Sequence, residues 1–297
     1  MASKMRETAG DKIFLVAVFL LLICGIICIL YPLFFTVIAS FSDPQAVYQG
    51  KVLLFPVGFT LEGYQRLFMD PAIPRGYLNT IIITVVGTIL SVFLTLTAAF
   101  ALANRYLIGK KFFTGFFAFT MFFNGGMIPT YLIIRDLGML NTLWSLILPG
   151  CVGAWNLFLV RTFYTVSIPE ELYEAATIDG APVTVYYFKI VLPLSKAIVS
   201  VMILYYGVGY WNLFFNALLY IRDEKLYPLQ LVLRNIILAN ESLSLADLDA
   251  QTVAARQRIS DLLKYSSMIV ASIPLLTIYP FLQKYFSQGV MVGSIKG

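Results

Sequence analysis

Long apolar stretches alternate with short polar ones along the chain. A helix rises about 1.5 Å per residue, so it needs roughly 20 mostly apolar residues to cross a hydrocarbon core about 30 Å thick. Six stretches meet this requirement: Ile13–Ala39, Asn79–Ala103, Phe112–Ile134, Thr142–Phe163, Ala197–Leu219 and Tyr265–Phe281. The pattern predicts an all-α, polytopic membrane protein with six transmembrane helices.

Composition agrees with a membrane protein, because 59% of the residues are apolar and only 12% are charged,. The first stretch follows a short charged segment and has no small-residue cleavage site after it, so we interpret it as a retained helix.

Cys24, Cys28 and Cys151 all fall in predicted spans. Since the chain has no His to complete a metal set, we interpret them as small buried side chains and predict no metal site,.

Basic residues near the ends of the spans indicate the orientation, because short cytoplasmic loops are enriched in Lys and Arg. They precede the first span and fill the loop between the second and third, at Lys4, Arg6, Lys12, Arg105, Lys110 and Lys111. The connection after the third span holds only Arg135. Both termini are therefore expected to face the cytoplasm, together with the Asn104–Lys111 loop and the Ser167–Lys196 segment.

Two longer connections, Phe41–Leu78 and Tyr220–Lys264, are expected on the outside, where they either dock an outer partner or cap the bundle. Several spans also carry helix-disturbing residues, at Asn124-Gly125-Gly126, Pro129, Pro149-Gly150, Pro274 and Pro280. Such breaks suit moving or pathway-lining helices, but Pro and Gly are also ordinary in transmembrane helices.

The polar segment between the fourth and fifth spans predicts two short helices joined by a bend. Ser167 and Glu170 have the spacing of a capping box, and Pro169 suits a first helical turn. Gly180 is expected to end this helix in a left-handed conformation. Pro182 then opens a second helix that Pro193 is expected to stop. We call Ser167–Lys196 the coupling segment and its bend, Glu174–Ala181, the elbow. The helices before and after the bend are the first and second arms of the elbow.

The elbow carries the pattern E-A-A-x3-G-x9-I-x-L-P, in Glu174-Ala175-Ala176, Gly180, Ile190 and Leu192-Pro193. This pattern resembles the signature cytoplasmic loop of binding-protein-dependent ABC importer permeases. Further motifs are similar to permeases for carbohydrates, especially oligosaccharides and polysaccharide fragments: Phe59–Tyr64, Asn124–Thr130, Tyr210–Asn212, Gln283–Phe286 and Gly293–Gly297. One departure is Ala197, where many relatives carry proline.

The resemblance implies a heterodimer with a second homologous permease subunit in a bacterial inner membrane. It also implies two cytoplasmic ATPase subunits, which bind ATP and Mg, and an extracytoplasmic solute-binding protein that delivers a carbohydrate. This chain is then a single transmembrane domain, residues 1–297, that binds no cofactor and no nucleic acid. It has no phosphate-binding loop, since Gly109-Lys110 lacks the upstream Gly and the following Ser or Thr,.

Two groups of residues are candidates for function. The ATPase-coupling group is Glu174, Ala175, Ala176, Asp179, Gly180 and Ala181. For a sugar path we favour aromatic rings and amides within or beside the spans, because rings cover apolar sugar faces and amides bind hydroxyls. These residues are Asn124, Trp155, Asn156, Tyr206, Trp211, Asn212 and Asn216. The alternative for them is packing between helices.

Other functions fit the sequence less well. An ion-coupled secondary transporter or channel is the main alternative, but such proteins usually bury ionisable residues in their spans, and here the acidic residues fall almost entirely in loops,. An intramembrane enzyme would need a nucleophile with a base or a metal set, which the sequence does not offer. The tail Gly289–Gly297 is expected either to add a second ATPase contact or to be a disordered end.

Overall fold

The structure, a computed structural model, describes residues 8–242, 258–277 and 280. Every regular element within these ranges is helical. The chain divides into two compact units, one formed from Met1–Met69 and Ile236–Ala271 and the other from Asp70–Asn235 and Ser272–Gly297. The predicted all-α fold is therefore confirmed for the part of the chain that is described.

The first unit contains a long apolar helix and a smaller group of short helices with its own apolar core. Helix α1, Ala9–Ser40, starts with a capping box between Thr8 and Asp11 and includes the first predicted span. The most apolar window of α1 has no buried residue. Two short helices follow, α2 (Pro44–Tyr48) and α3 (Glu62–Met69). An all-round exposed apolar surface of this length suits a lipid or protein environment rather than water.

Tight packing and ion pairs join the elements of this unit. Gly63 lies so close to the helix Arg258–Thr277 that a Cβ atom there would meet the Leu262 carbonyl oxygen at 2.9 Å. Arg258 pairs with Asp43 at 3.4 Å and with Glu62 at 3.5 Å. These contacts link the segment after the first span to the helix Arg258–Thr277.

The second unit is built around α4, Ala72–Ala103, which includes the second predicted span. It packs against α8 (Ala154–Ser167) and α12 (Lys196–Trp211). Gly87 of α4 allows the closest approach, because a Cβ atom at this position would lie 2.8 Å from the Tyr210 ring of α12. The remaining helices, in chain order, are α5 (Lys110–Phe122), α6 (Met127–Asp136), α7 (Trp144–Ile147), α9 (Glu171–Ile178), α10 (Val183–Tyr186), α11 (Leu192–Leu194), α13 (Phe215–Tyr220), α14 (Leu229–Ser242) and α15 (Arg258–Thr277).

Three of the predicted spans are bent rather than straight. Among the described residues, α1, α4 and α15 are long and apolar enough to cross a membrane singly, and the count reaches six if each bent pair is one span. The bends are 117° between α5 and α6, 48° between Trp144–Gly150 and α8, and 81° between Val183–Leu194 and α12. At the first, the Asn124 side chain accepts a hydrogen bond from Gly126 N–H at 2.9 Å, and Gly126 has a φ of +87°.

The ends of two spans differ from the predicted bounds. The fifth predicted span, Ala197–Leu219, is interrupted after Trp211, and the chain becomes helical again only at α13. The sixth predicted span is helical from Arg258 to Thr277 within the described residues, so helix is already present before the predicted start at Tyr265, and the predicted end at Phe281 lies outside the described residues.

Candidate functional site

The first arm of the elbow is the helix α9, Glu171–Ile178. The predicted capping box is wrong, because Ser167 is the last residue of α8 and the N-cap of α9 is Glu170, whose side chain makes no capping hydrogen bond. The Glu170 carboxylate instead pairs with Arg105 at 2.7 Å. Pro169 precedes this N-cap and so lies outside the helix rather than in its first turn, although its carbonyl accepts a hydrogen bond from Leu172 N–H at 3.3 Å.

The bend itself has the geometry expected from its glycine. Gly180 has a φ of +69°, and Ala181 N–H donates to the Ala176 carbonyl at 2.9 Å. This pattern closes the helix and directs the chain away from its axis. A Cβ atom at Gly180 would meet nothing within 4 Å. Gly180 is therefore required by its backbone conformation and not by crowding within this chain.

The predicted coupling residues lie on different sides of α9. Glu174, Ala175, Asp179 and Gly180 are exposed, and Ala181 is half-buried. Ala176 is buried and belongs to the apolar core of the second unit. Among the elbow residues it is therefore Ala175, beside the open space at Gly180, that leaves room for another backbone to approach.

Sequence reasoning missed Ile178, a large apolar side chain at the tip of the elbow. It is 86% exposed, although it lies only two residues from the bend. A single exposed apolar side chain is ordinary on a protein surface, so Ile178 is of interest for its position beside the bend. The signal in the sequence was an apolar residue on the polar face of a short amphipathic helix.

The second arm ends within one residue of the predicted stop at Pro193, but it is not one regular α-helix. After Pro182 the chain runs through α10, a π-helical turn at Tyr187–Val191 and α11, so helical structure passes Pro193 and ends at Leu194. Pro193 has no N–H group and would clash with a carbonyl four residues earlier in a regular α-helix. The π turn, in which Leu192 N–H donates to the Tyr187 carbonyl, changes the register before this proline,. The chain then turns by 81° into α12.

The C-terminal end of α4 contacts both arms of the elbow. Arg105, just after α4, pairs with Glu170 at 2.7 Å and approaches Glu174 at 3.8 Å. The hydroxyl of Tyr106, followed by these two carboxylates, raises the pKa of the Arg105 guanidinium above its usual value. A cavity of about 230 Å³ lies beside these groups. The predicted cytoplasmic loop Asn104–Lys111 thus meets the coupling segment.

Two tyrosine hydroxyls connect α12 to its neighbours. The Tyr206 hydroxyl lies 2.7 Å from Thr95 Oγ1 of α4 and accepts a hydrogen bond from Gly153 N–H at 3.1 Å. The Tyr210 hydroxyl lies 2.9 Å from Ser91 Oγ and donates to the Ile147 carbonyl at 2.9 Å. Tyr206 was predicted for the solute path, and its hydroxyl is engaged between helices.

The other candidates for the path are distributed along the second unit. Trp155 is 66% exposed on α8, and Asn156 lies near the same Gly153 that Tyr206 contacts. Asn212 is exposed and donates to the Val208 carbonyl at 3.0 Å, while Asn216 is half-buried. Asn124 lies at the bend between α5 and α6. The structure brings Asn156 and Tyr206 to one place but does not gather all seven residues in one pocket.

A groove of about 840 Å³ lies between α4 and α12 and includes Leu275 and Leu276. Of the seven path candidates, only Trp211 lines it. Lys196, at the opposite end of α12 from Trp211, also lines the groove. The motifs at Gln283–Phe286 and Gly289–Gly297 lie outside the described residues.

Comparisons with known proteins give close relatives. The chain is 40% identical over 295 residues to Protein LplC of Bacillus subtilis, covering 99% of this chain and 98% of the relative. It is 38% identical over 279 residues to the polygalacturonan/rhamnogalacturonan transport system permease protein YtcP of the same species, covering 93% of this chain and 96% of the relative. No family model matches the chain.

A solved structure agrees in both fold and sequence. It is a chain of a bacterial ABC transporter involved in the import of the acidic polysaccharide alginate, with a TM-score of 0.84 and 31% identity. The match covers 95% of this chain and all of the other. The resemblance seen in the elbow thus extends over nearly the whole molecule, and the chain belongs to the carbohydrate-uptake family of ABC importer permeases, as a multi-pass membrane subunit.

Proposed function

We propose that this subunit carries an oligosaccharide across the membrane by alternating access, driven by ATPases that dock on the elbow Glu174–Ala181. The observation that carries the proposal is the elbow itself. It presents an exposed helix end, an exposed Ile178 and open space at Gly180, and its second arm leads through one bend into α12. A partner that moves the elbow therefore acts on a helix packed in the centre of the second unit.

The proposed topology has six spans, with the three bent pairs each crossing once and both termini in the cytoplasm. Contacts between loops support it. Arg105, after the second span, pairs with Glu170, after the fourth. At the other side, Asn141, after the third span, accepts a hydrogen bond from Asp223 N–H, after the fifth, at 2.8 Å. Loops assigned to the same side thus contact each other, as six crossings require.

The proposed assembly contains this chain, a second homologous permease, two ATPase subunits and an extracytoplasmic solute-binding protein. In it residues 1–297 form a single transmembrane domain, with the coupling segment Ser167–Lys196 within it. ATP and Mg are held by the ATPases, and this chain binds neither. The names of YtcP and of the alginate importer favour a polysaccharide fragment as the substrate.

Reconstitution of the complete complex in proteoliposomes tests this function. We expect radiolabelled oligosaccharide to accumulate only when ATP, the ATPases and the solute-binding protein are all present. A panel of galacturonate, alginate and neutral oligomers identifies the substrate class. Accumulation driven by an ion gradient without ATP would instead support the ion-coupled alternative.

Single-cysteine labelling tests the topology independently. In a variant with Cys24, Cys28 and Cys151 replaced by alanine, Lys111→Cys is expected to react with an impermeant maleimide only from the cytoplasmic side. Gln45→Cys is expected to react only from the outside. Both side chains are exposed, so labelling does not require local unfolding. Reaction of both residues from the same side would contradict the proposed arrangement.

A further inference from the structure

We propose that the elbow also moves the C-terminal end of α4, and that Arg105 is the positioning residue that holds α4 to the elbow. In this arrangement ATPase-driven motion reaches α4 through side-chain contacts as well as reaching α12 through the chain. The inference rests on the proposed coupling role of the elbow. We call the contact the clasp: Phe100, Arg105 and Tyr106 on one side, and Glu170, Tyr173, Glu174 and Tyr186 on the other.

The polar half of the clasp holds the first arm. One guanidinium nitrogen of Arg105 lies 2.7 Å from a Glu170 oxygen, and the other lies 3.8 Å from a Glu174 oxygen. Glu170 and Glu174 are one helical turn apart, so a single guanidinium spans the first turn of α9. Its fixed, planar donors favour one orientation of that helix over others.

The aromatic half of the clasp extends this hold to both arms. The Tyr106 ring stacks on the Tyr173 ring of α9 with centroids 5.9 Å apart. Tyr173 in turn meets Tyr186 of α10 edge-on at 5.3 Å, and Tyr186 lies 6.1 Å from Phe100 of α4. The guanidinium of Arg105 lies 4.8 Å from the Tyr106 ring centre. These contacts thus run from Tyr106, just after α4, through both arms of the elbow and back to Phe100 of α4.

The number of contacts matters because no single one is strong. Arg105, Glu170 and Glu174 are each about half exposed, and an exposed ion pair is weak because water screens it,. Each aromatic contact adds a modest stabilisation of its own. The polar and aromatic halves share Arg105 and Tyr106, which are adjacent, so loss of Arg105 weakens both.

The clasp also explains how α4 and α12 can move together. At their other contacts these helices are joined by the pairs Thr95–Tyr206 and Ser91–Tyr210. The elbow's second arm drives α12 from one end, and the clasp holds α4 to the same elbow. Without the clasp, elbow motion strains the α4–α12 contact instead of moving both helices.

A double-mutant cycle in the reconstituted complex tests the proposal. We expect Arg105→Ala and Glu170→Ala each to lower the oligosaccharide imported per ATP hydrolysed by about two- to tenfold. The double variant should be no worse than Arg105→Ala alone, since that change already breaks the Arg105–Glu170 pair. Arg105→Lys, which keeps the charge but not the planar donors, should fall between wild type and Arg105→Ala. Co-purification of the ATPases should stay at the wild-type level.

Lys111→Ala is the matched control, because it removes an exposed cation nearby in the chain, at the start of α5. A coupling ratio for Arg105→Ala equal to that of Lys111→Ala would overturn the clasp. Additive losses in the double variant, or loss of the ATPases from Arg105→Ala, would overturn it too, by assigning Arg105 to direct ATPase contact. Gly180→Val reports on the elbow separately. If Gly180→Val transports normally, the proposed function itself has failed. If Gly180→Val is defective while Arg105→Ala behaves like Lys111→Ala, only the clasp is rejected.

Discussion

The elbow and the α4–α12 interface differ in what surrounds their side chains, which is open space at the elbow and packed neighbours at the interface. At the elbow, Gly180 faces open space and Ile178 is 86% exposed. At the interface, Gly87 would place a Cβ atom 2.8 Å from the Tyr210 ring, and the tyrosine hydroxyls find partners on neighbouring helices. A small or polar residue therefore indicates docking where its surroundings are open, and packing where its surroundings are filled.

The largest expected effect is a loss of folding at the interface. Gly87→Leu should destabilise the subunit by about 1–3 kcal/mol or more, because α4 and α12 must separate to admit the side chain. Thermal melting in detergent, followed by fluorescence size-exclusion chromatography, measures it. Gly209→Ala is the control, since a Cβ atom at Gly209 meets nothing within 4 Å. Equal melting of the Gly87→Leu variant and wild type would show that the helices are not packed this closely.

The next largest effect is a loss of transport without a loss of folding. Gly180→Val places a β-branched residue at a φ of +69°, which costs roughly 1–2 kcal/mol,. We expect normal membrane insertion but loss of ATPase association or of coupling between hydrolysis and uptake. Gly180→Asn should retain more activity, because Asn tolerates this conformation better. Wild-type assembly and uptake in Gly180→Val would refute the role of the bend.

A smaller effect distinguishes packing from solute contact at Tyr206. Tyr206→Phe removes the hydroxyl that accepts from Gly153 N–H, so it should destabilise the subunit by about 1 kcal/mol,. Tyr205→Phe, on the exposed neighbouring tyrosine, is the control. A change in the KM for oligosaccharide with unchanged stability would instead support Tyr206 as a residue of the path.

The smallest effect is expected from Glu174→Ala. Its carboxylate is exposed and lies 3.8 Å from Arg105, so its loss removes only the longer of the two ion pairs. We expect uptake to fall by less than about threefold, in keeping with the small free energy of exposed pairs. Initial uptake rates in proteoliposomes measure this, and a complete loss of uptake would mean that Glu174 binds the ATPase directly and strongly.

The sequence predicted the local features of the elbow better than its surroundings. Gly180 revealed the bend because its type and spacing define a helix end that depends on few distant residues. The capping box failed because α8 runs through Ser167 and Glu170 is the N-cap of α9, where its carboxylate pairs with Arg105, far away in sequence. The π turn before Pro193 and the bends in the spans likewise depend on packing against other helices. For the same reason the sequence did not reveal that Tyr206 bonds to Thr95 and Gly153.

Photo-cross-linking from the elbow tests the docking of the ATPase most directly. A benzophenone amino acid replaces Ile178 in the complete complex, and in a control it replaces Tyr48, which is 84% exposed in a segment assigned to the outside. The account predicts that the Ile178 probe forms a covalent product with an ATPase subunit and that the Tyr48 probe does not. A fully assembled complex in which the Ile178 probe never reaches the ATPase would contradict it.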